Sequence, residues 1–182
     1  LRRRLCSCCP VRAGRHERAT TMTTITTIGV YEFDAPRFLQ ALRDAHVTQL
    51  VDVRQRRGVR GTAYAWANAR RLQALLLDAG IAYRHLRSLA PTTELRHLQY
   101  AADARAGVGK RSRRALDAAY IERYQREILR ASSVRELVVG LPPTGRAALL
   151  CVERDAEACH RSLIAASLAA QHGVVVQHLR PG

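Results

Sequence analysis

The chain has 182 residues, 47% hydrophobic and 25% charged, enough for one domain with a real core and not comfortably two. It is strongly basic, with 30 Lys and Arg against 15 Asp and Glu and a formal charge of +15. No run reaches the ~18 apolar residues of a membrane span, so a membrane partner is not expected.

Lys110 is the only lysine. An arginine-rich surface suits phosphate and nucleic acid. Coding from a GC-rich genome also favours Arg over Lys, although it does not explain the net excess of positive charge.

Residues 1–21, LRRRLCSCCPVRAGRHERATT, hold three of the five cysteines and show no apolar periodicity. They read as a disordered basic extension upstream of a natural start at Met22, with one domain over 22–182. The positive charge is not followed by the apolar stretch of about 7–15 residues that a secretory signal needs. Cys6, Cys8, Cys9 and His16 can be drawn as a metal cluster, but no fold surrounds them. The remaining Cys151 and Cys159 give no disulfide framework, and a cytoplasmic, reducing location is expected.

ITTIGV (25–30) reads as a first strand. Asp34 can cap a helix over 35–46 with Pro36 in its first turn and Phe38, Leu42 and Ala45 on one face. QLVDV (49–53) is a second strand, and 54–68 a long basic loop. A helix over 68–79 carries Leu72, Leu75, Leu76 and Ala79 and stops at Gly80. IAYRHL (81–86) is a third strand. Helices follow over 92–106 and 112–131, the second with Leu116, Tyr120, Tyr124 and Ile128, joined by the basic stretch RAGVGKRSRR. A short helix near 133–140 and a PPTG turn lead to a strand at 147–152. A helix from about 159 to 171 ends at Gly173, and VVVQHL (174–179) is the last strand.

Strands alternating with helices, several of them continuously apolar, mark an α/β domain. Its core is a mainly parallel open sheet of about five strands with helices on both faces, a Rossmann-like three-layer arrangement. Ligands of such sheets bind beyond the carboxyl ends of the strands. Gly29, Asp52, Arg54, His85, Cys151, Glu153 and His178 fall at those ends. Cys159, His160 and Arg161 open the last helix.

A thiol at a helix N-terminus is polarised toward the thiolate, and His160 and Arg161 add positive potential. Cys159 is therefore the candidate nucleophile, Glu153 the acid/base or orienting carboxylate, and His160 a base. Arg161 and Arg54, with Asp52, Gly29, His85 and Cys151 around them, are candidates to hold an anionic small molecule or nucleotide. Each has a plainer role: Cys151 as a buried hydrophobe, Asp52 and Arg54 as a paired strand end, His85 as a rim hydrogen bond, and Glu153 as the partner of Arg54 or Arg161. No cofactor is expected. Zinc at Cys151, Cys159 and His160 is the less favoured option, because the two cysteines stand eight apart rather than at a zinc-hook spacing. A nucleic-acid-binding module is the alternative, with contacts from Arg56, Arg57, Arg60, Lys110, Arg111, Arg113 and Arg114. The third alternative is a structural crossover with a partner surface elsewhere.

The stretches TIGVYEF, LVDVR, AGIAYRHL, ELRHLQY and CVERDAEACHRSLIA resemble the family called domain of unknown function 488, from about Thr26 to Leu179. The closing C-x-E-x5-CHR pattern is the most specific part. The resemblance implies a single cytoplasmic α/β domain of bacteria and archaea, without an established reaction. Its recurrent positions fall on Thr27, Gly29, Asp52, Arg54, His85, Leu86, Cys151, Glu153, Cys159, His160 and Arg161. Some members carry His or Tyr directly after TIG, where this chain has Val30 and then Tyr31. VDVR and the strand–Cys–loop–helix order also resemble rhodaneses and thiol phosphatases. Their C-x5-R loop is absent, since Arg161 follows Cys159 by two.

Overall fold

The computed structural model describes residues 24–129 and 131–182, the side chains of 131–133 aside. The expected extension over 1–21, its metal-cluster option and the start at Met22 lie outside the described residues. Five strands form one parallel sheet: β1 (Thr24–Ile28), β2 (Val47–Asp52), β3 (Ala82–His85), β4 (Arg146–Leu150) and β5 (Val175–Leu179). Their order is β3-β2-β4-β1-β5, so β4 lies at the centre, paired in parallel with β1 and β2. The helices are α1 (Ala35–Asp44), α2 (Ala69–Asp78), α3 (Thr93–Arg105), α4 (Ala118–Glu127), α5 (Ala131–Val139) and α6 (His160–His172). None is long and apolar enough to cross a membrane among the described residues.

Apolar runs in the central strands follow from two covered faces. Leu50, Ala148 and Leu150 pack under Phe38 and Leu42 of α1 and Leu72 and Leu76 of α2. Their chain neighbours Val51, Ala147 and Leu149 turn the other way, toward Tyr120 and Tyr124 of α4, Leu137 of α5, and Ile164 and Leu168 of α6. The Asp34 carboxylate accepts from the Arg37 backbone N–H at 2.8 Å and starts α1. Gly173, at φ 63°, ends α6 in the left-handed conformation that glycine adopts without strain.

One predicted helix is shorter than the periodicity suggests. The pattern predicts a helix over 112–131, but α4 begins at Ala118. The Asp117 carboxylate accepts from the Ala119 and Tyr120 backbone N–H groups, and an Asp capped in this way fixes the helix start. Residues 106–117 are left as a long loop. The loop over 54–68 contains a short 3-10 stretch, Thr62–Ala67, which lays Trp66 against Phe38 at 4.8 Å between ring centres.

Backbone hydrogen bonds continue past the ends of the central strands. The Cys151 N–H donates to Ile28 O (3.2 Å), Val53 N–H to Leu150 O (3.1 Å), and both Val30 and Tyr31 N–H to Val152 O (3.0 Å each). The chain at Cys151–Glu153 is thereby wedged between the ends of β1 and β2. Gly29 makes the wedge fit, because a Cβ there would collide with the Glu153 carbonyl. Beside it, Asp52 and Arg54 form a buried fork. Arg54 Nε and Nη2 donate to the two Asp52 oxygens at 2.8 and 2.7 Å, and Nη1 donates to Ala67 O at 3.0 Å. Tyr83 Oη adds a bond to Asp52 at 2.7 Å.

Two stability measurements follow. Gly29→Ala should lower unfolding free energy by roughly 1–3 kcal/mol, the usual range for forced overpacking, as read by urea denaturation. Arg54→Met should cost about 3–5 kcal/mol, because it strands a buried carboxylate; Asp52→Asn in the Arg54→Met background should recover part of that loss.

Candidate functional site

A cavity of about 520 Å³ opens at the carboxyl edge of the sheet. Its floor is the chain between β4 and α6. Cys151 directly follows β4, and the next residues loop outward. Cys159, in the N-cap position of α6, returns the chain to Cys151. Arg161, in the first turn of α6, holds the loop in this shape: Nη1 donates to Glu153 O at 2.7 Å and Nη2 to Arg154 O at 2.8 Å. Its Nε donates to Thr27 Oγ1 at 3.4 Å, and that hydroxyl meets His178 Nδ1 at 2.8 Å.

The two thiols and the His160 ring converge on this floor. His160 Nδ1 lies 3.8 Å from Cys151 Sγ and 3.7 Å from Cys159 Sγ. Its other nitrogen, Nε2, donates to Val53 O at 3.0 Å, which fixes the ring and turns Nδ1 to the sulfurs. Tyr124 packs on the ring at 5.5 Å between centres, and its hydroxyl is spent on Leu89 O at 2.6 Å. Cys151 Sγ donates to Glu153 Oε2 at 3.2 Å.

Protonation follows from these contacts. Burial pushes the Cys151 thiol well up, and negative charge at Cys159 and Glu153 pushes it further. At Cys159 burial also acts upward. The positive charge of His160 and Arg161 and the hydrogen bond from His160 outweigh it and hold this thiol well below its ordinary value. Burial acts to lower His160, but the Cys159 charge and hydrogen bond, with Glu153 behind them, raise it. These contacts favour the charged form of Cys159 and of the His160 ring, and disfavour ionisation of Cys151.

Glu153 is 7% exposed, and its partners are not those the sequence suggests. Instead of Arg54 or Arg161, Arg113 reaches it from the 106–117 loop, Nη2 to Oε1 at 3.2 Å. Arg113 also bonds Asp103 at 2.7 Å and Ala158 O at 3.2 and 3.0 Å. Lys110 Nζ lies 3.8 Å from the same Glu153 oxygen. Burial acts to lower the Lys110 ammonium, but the charge of Glu153 raises it above its ordinary value.

Of the residues singled out in the sequence, Cys151, Glu153, Cys159, His160 and Arg54 line the cavity, as do Arg56, Arg60, Lys110, Arg111 and Arg113. The catalytic set and much of the basic set thus share one site. Arg161 is placed differently: it is 1% exposed, is not among the residues that line the cavity, and donates to backbone carbonyls. Asp52 is fully buried in its fork with Arg54. His85 Nε2 bonds Arg54 O at 2.9 Å, away from the cavity. Gly29 sits beneath Glu153 as a spacer. Arg57 reaches Tyr83 Oη at 3.4 Å, and Arg114 pairs with Asp155 at 3.0 Å on the outer surface.

Among the described residues, Arg56, Arg60 and Arg111 form no ion pair. Arg111 lies over Tyr31 at 5.1 Å and Tyr64 at 5.5 Å, a cation–π contact across the mouth. Sequence reasoning missed Tyr120, Tyr124 and Asp103. The two tyrosines occupy an apolar helical stripe, and no local pattern separates a core tyrosine from one that lines a cavity.

No curated protein and no solved structure gives a match to the chain. A family model described as "Domain of unknown function DUF488" matches residues 34–168, which span β2 to β4, the Cys151–Cys159 loop and most of α6. The chain belongs to the DUF488 family.

Proposed function

We propose that this domain is an enzyme acting on an anionic, nucleotide-like or otherwise phosphate-bearing substrate, with Cys159 as its nucleophile. One observation carries the reading. Cys159, Cys151 and the His160 ring meet at the floor of a cavity whose lining includes seven Arg and Lys side chains and the single carboxylate of Glu153. Arg54 and Arg113 are held by carboxylates and Arg96 by Gln55 and Tyr100, so binding falls to Arg56, Arg60, Arg111 and, beside Glu153, Lys110. Guanidinium forks suit phosphate oxygens.

In the step this supports, the Cys159 sulfur bonds to an electrophilic centre of the substrate. The bond to the leaving group breaks, and the leaving atom takes the proton on His160 Nδ1. Water then cleaves the sulfur adduct, with His160 as base. Glu153, held by Arg113 and Lys110, accepts the Cys151 thiol proton and so orients that thiol beside the reacting sulfur. A nucleic-acid substrate is the second reading, favoured by the opening of Arg56, Arg60 and Arg111 onto the same cavity. It calls for affinity that falls steeply with salt.

Alkylation by iodoacetamide, with each cysteine read by mass spectrometry, tests the nucleophile. Cys159 should react with an apparent pKa well below the free-thiol value of about 8.5. Its thiolate persists above the lowered pKa, so the rate falls only as pH drops through that value. Cys151 should stay slow over the same range. His160→Asn should return Cys159 toward ordinary behaviour. An unshifted Cys159 in the wild-type chain defeats the nucleophile assignment.

Charged and neutral alkylating agents test the anion preference. Relative to a small free thiol, Cys159 should favour iodoacetate over iodoacetamide several-fold at low salt. Added salt should erode the preference, and joint replacement of Arg56, Arg60 and Arg111 by Ala should abolish it. Equal rates for the two reagents would argue against an anionic substrate.

A further inference from the structure

The eight-residue interval between Cys151 and Cys159 argues against a zinc site only while the chain is read as a line. In space the loop closes on itself. Cys151 Sγ, Cys159 Sγ and His160 Nδ1 all lie within 4.8 Å of one another. The sulfur-to-nitrogen separations are 3.8 and 3.7 Å. A tetrahedral zinc with Zn–S of about 2.3 Å and Zn–N of about 2.0 Å needs S···N edges of about 3.5 Å and an S···S edge of about 3.8 Å. The three donors therefore need only modest inward movement.

We infer that Cys151, Cys159 and His160 form a binding site for a thiophilic divalent cation, Zn2+ being the type, and that an ion there silences the Cys159 thiolate.

Three features support this beyond distance. Two sulfurs and one imidazole are the donor set that soft or borderline cations take, whereas Mg2+ and Ca2+ ask for oxygen. His160 Nε2 is already engaged by Val53 O, the outer hydrogen bond that orients a metal-bound histidine and leaves Nδ1 as the donor. All three ligands are buried yet line the cavity, so a fourth position faces an open space. Three protein ligands plus an open position is a labile arrangement, unlike a closed structural site. Binding would displace the protons on His160 Nδ1 and Cys151 Sγ into solvent, and the ion would then hold the Cys159 sulfur lone pair that the nucleophile needs and the Nδ1 lone pair that the base needs. Metal binding does not depend on the catalytic reading, since the ligands are arranged whether or not a reaction is found.

The experiment uses the full-length chain with Cys6, Cys8 and Cys9 replaced by Ser, which removes the other thiols. Co2+ is titrated into the reduced, metal-free protein. The expected result is one Co2+ per chain, a sulfur-to-cobalt charge-transfer band in the near ultraviolet and the visible bands of a tetrahedral ion. Zn2+ should displace it. Further replacement of Cys151 and Cys159 by Ser should remove the charge-transfer band, and His160→Asn should shift the visible bands, with folding verified by circular dichroism. Zn2+ should also slow alkylation of Cys159 at least tenfold, and a chelator should restore it. Absence of the charge-transfer band in the folded protein overturns the proposal, as does a band that survives loss of both cysteines, or an alkylation rate indifferent to Zn2+. Alkylation without metal reports on the nucleophile alone, so the two readings fail separately.

Discussion

The Arg161 side chain closes a loop on itself, and the site exists because of it. Two of its nitrogens hold the carbonyls of Glu153 and Arg154 while its own backbone belongs to α6. The distance between the end of β4 and the start of α6 is thereby set by a side chain fully withdrawn from solvent. Gly29 supplies the complementary condition from below, because only a residue without Cβ lets β1 pass under Glu153 O. Cys151 and Cys159 meet as a result of these two constraints, and His160 is aimed at both by its bond to Val53 O. Three strand ends and one helix start thus contribute to a cluster that no one of them contains.

Charge is arranged in two tiers around this cluster. Inside, each cation has a partner: Arg54 has Asp52, and Arg113 has Asp103 and Glu153. Buried charges of this kind are tolerable only when paired and hydrogen-bonded. Toward the mouth Arg56, Arg60 and Arg111 lack carboxylate partners, and their field is free to act on something outside the protein. The inner tier fixes geometry, and the outer tier selects sign.

Much of this could be read from the residues. Continuous apolar runs such as AALLCV pointed to a sheet covered on both faces, and Asp34, Pro36 and Gly173 marked helix ends by their own chemistry. The C-x-E-x5-CHR pattern located the floor of the cavity. What stayed hidden depended on distant parts of the chain. Arg113 stands 40 residues from Glu153, inside a stretch of four basic residues that looks uniformly solvated. Only the late start of α4, set by Asp117, frees the loop to carry Arg113 inward while Arg114 turns outward. Arg161 misled for a related reason. A guanidinium at a helix N-terminus reads as an anion clamp, and nothing local reveals that the nearest acceptors are the carbonyls of its own loop.

Lys110 has a consequence of another kind. It is the only lysine in 182 residues, and it stands in the cavity wall beside Glu153. Elsewhere the positive charge is carried by guanidinium groups, which amine-directed reagents leave untouched. The chain therefore offers a single side-chain amine, and it stands in the cavity wall. A fluorophore or cross-linker attached through that amine would report from the cavity without any engineered residue.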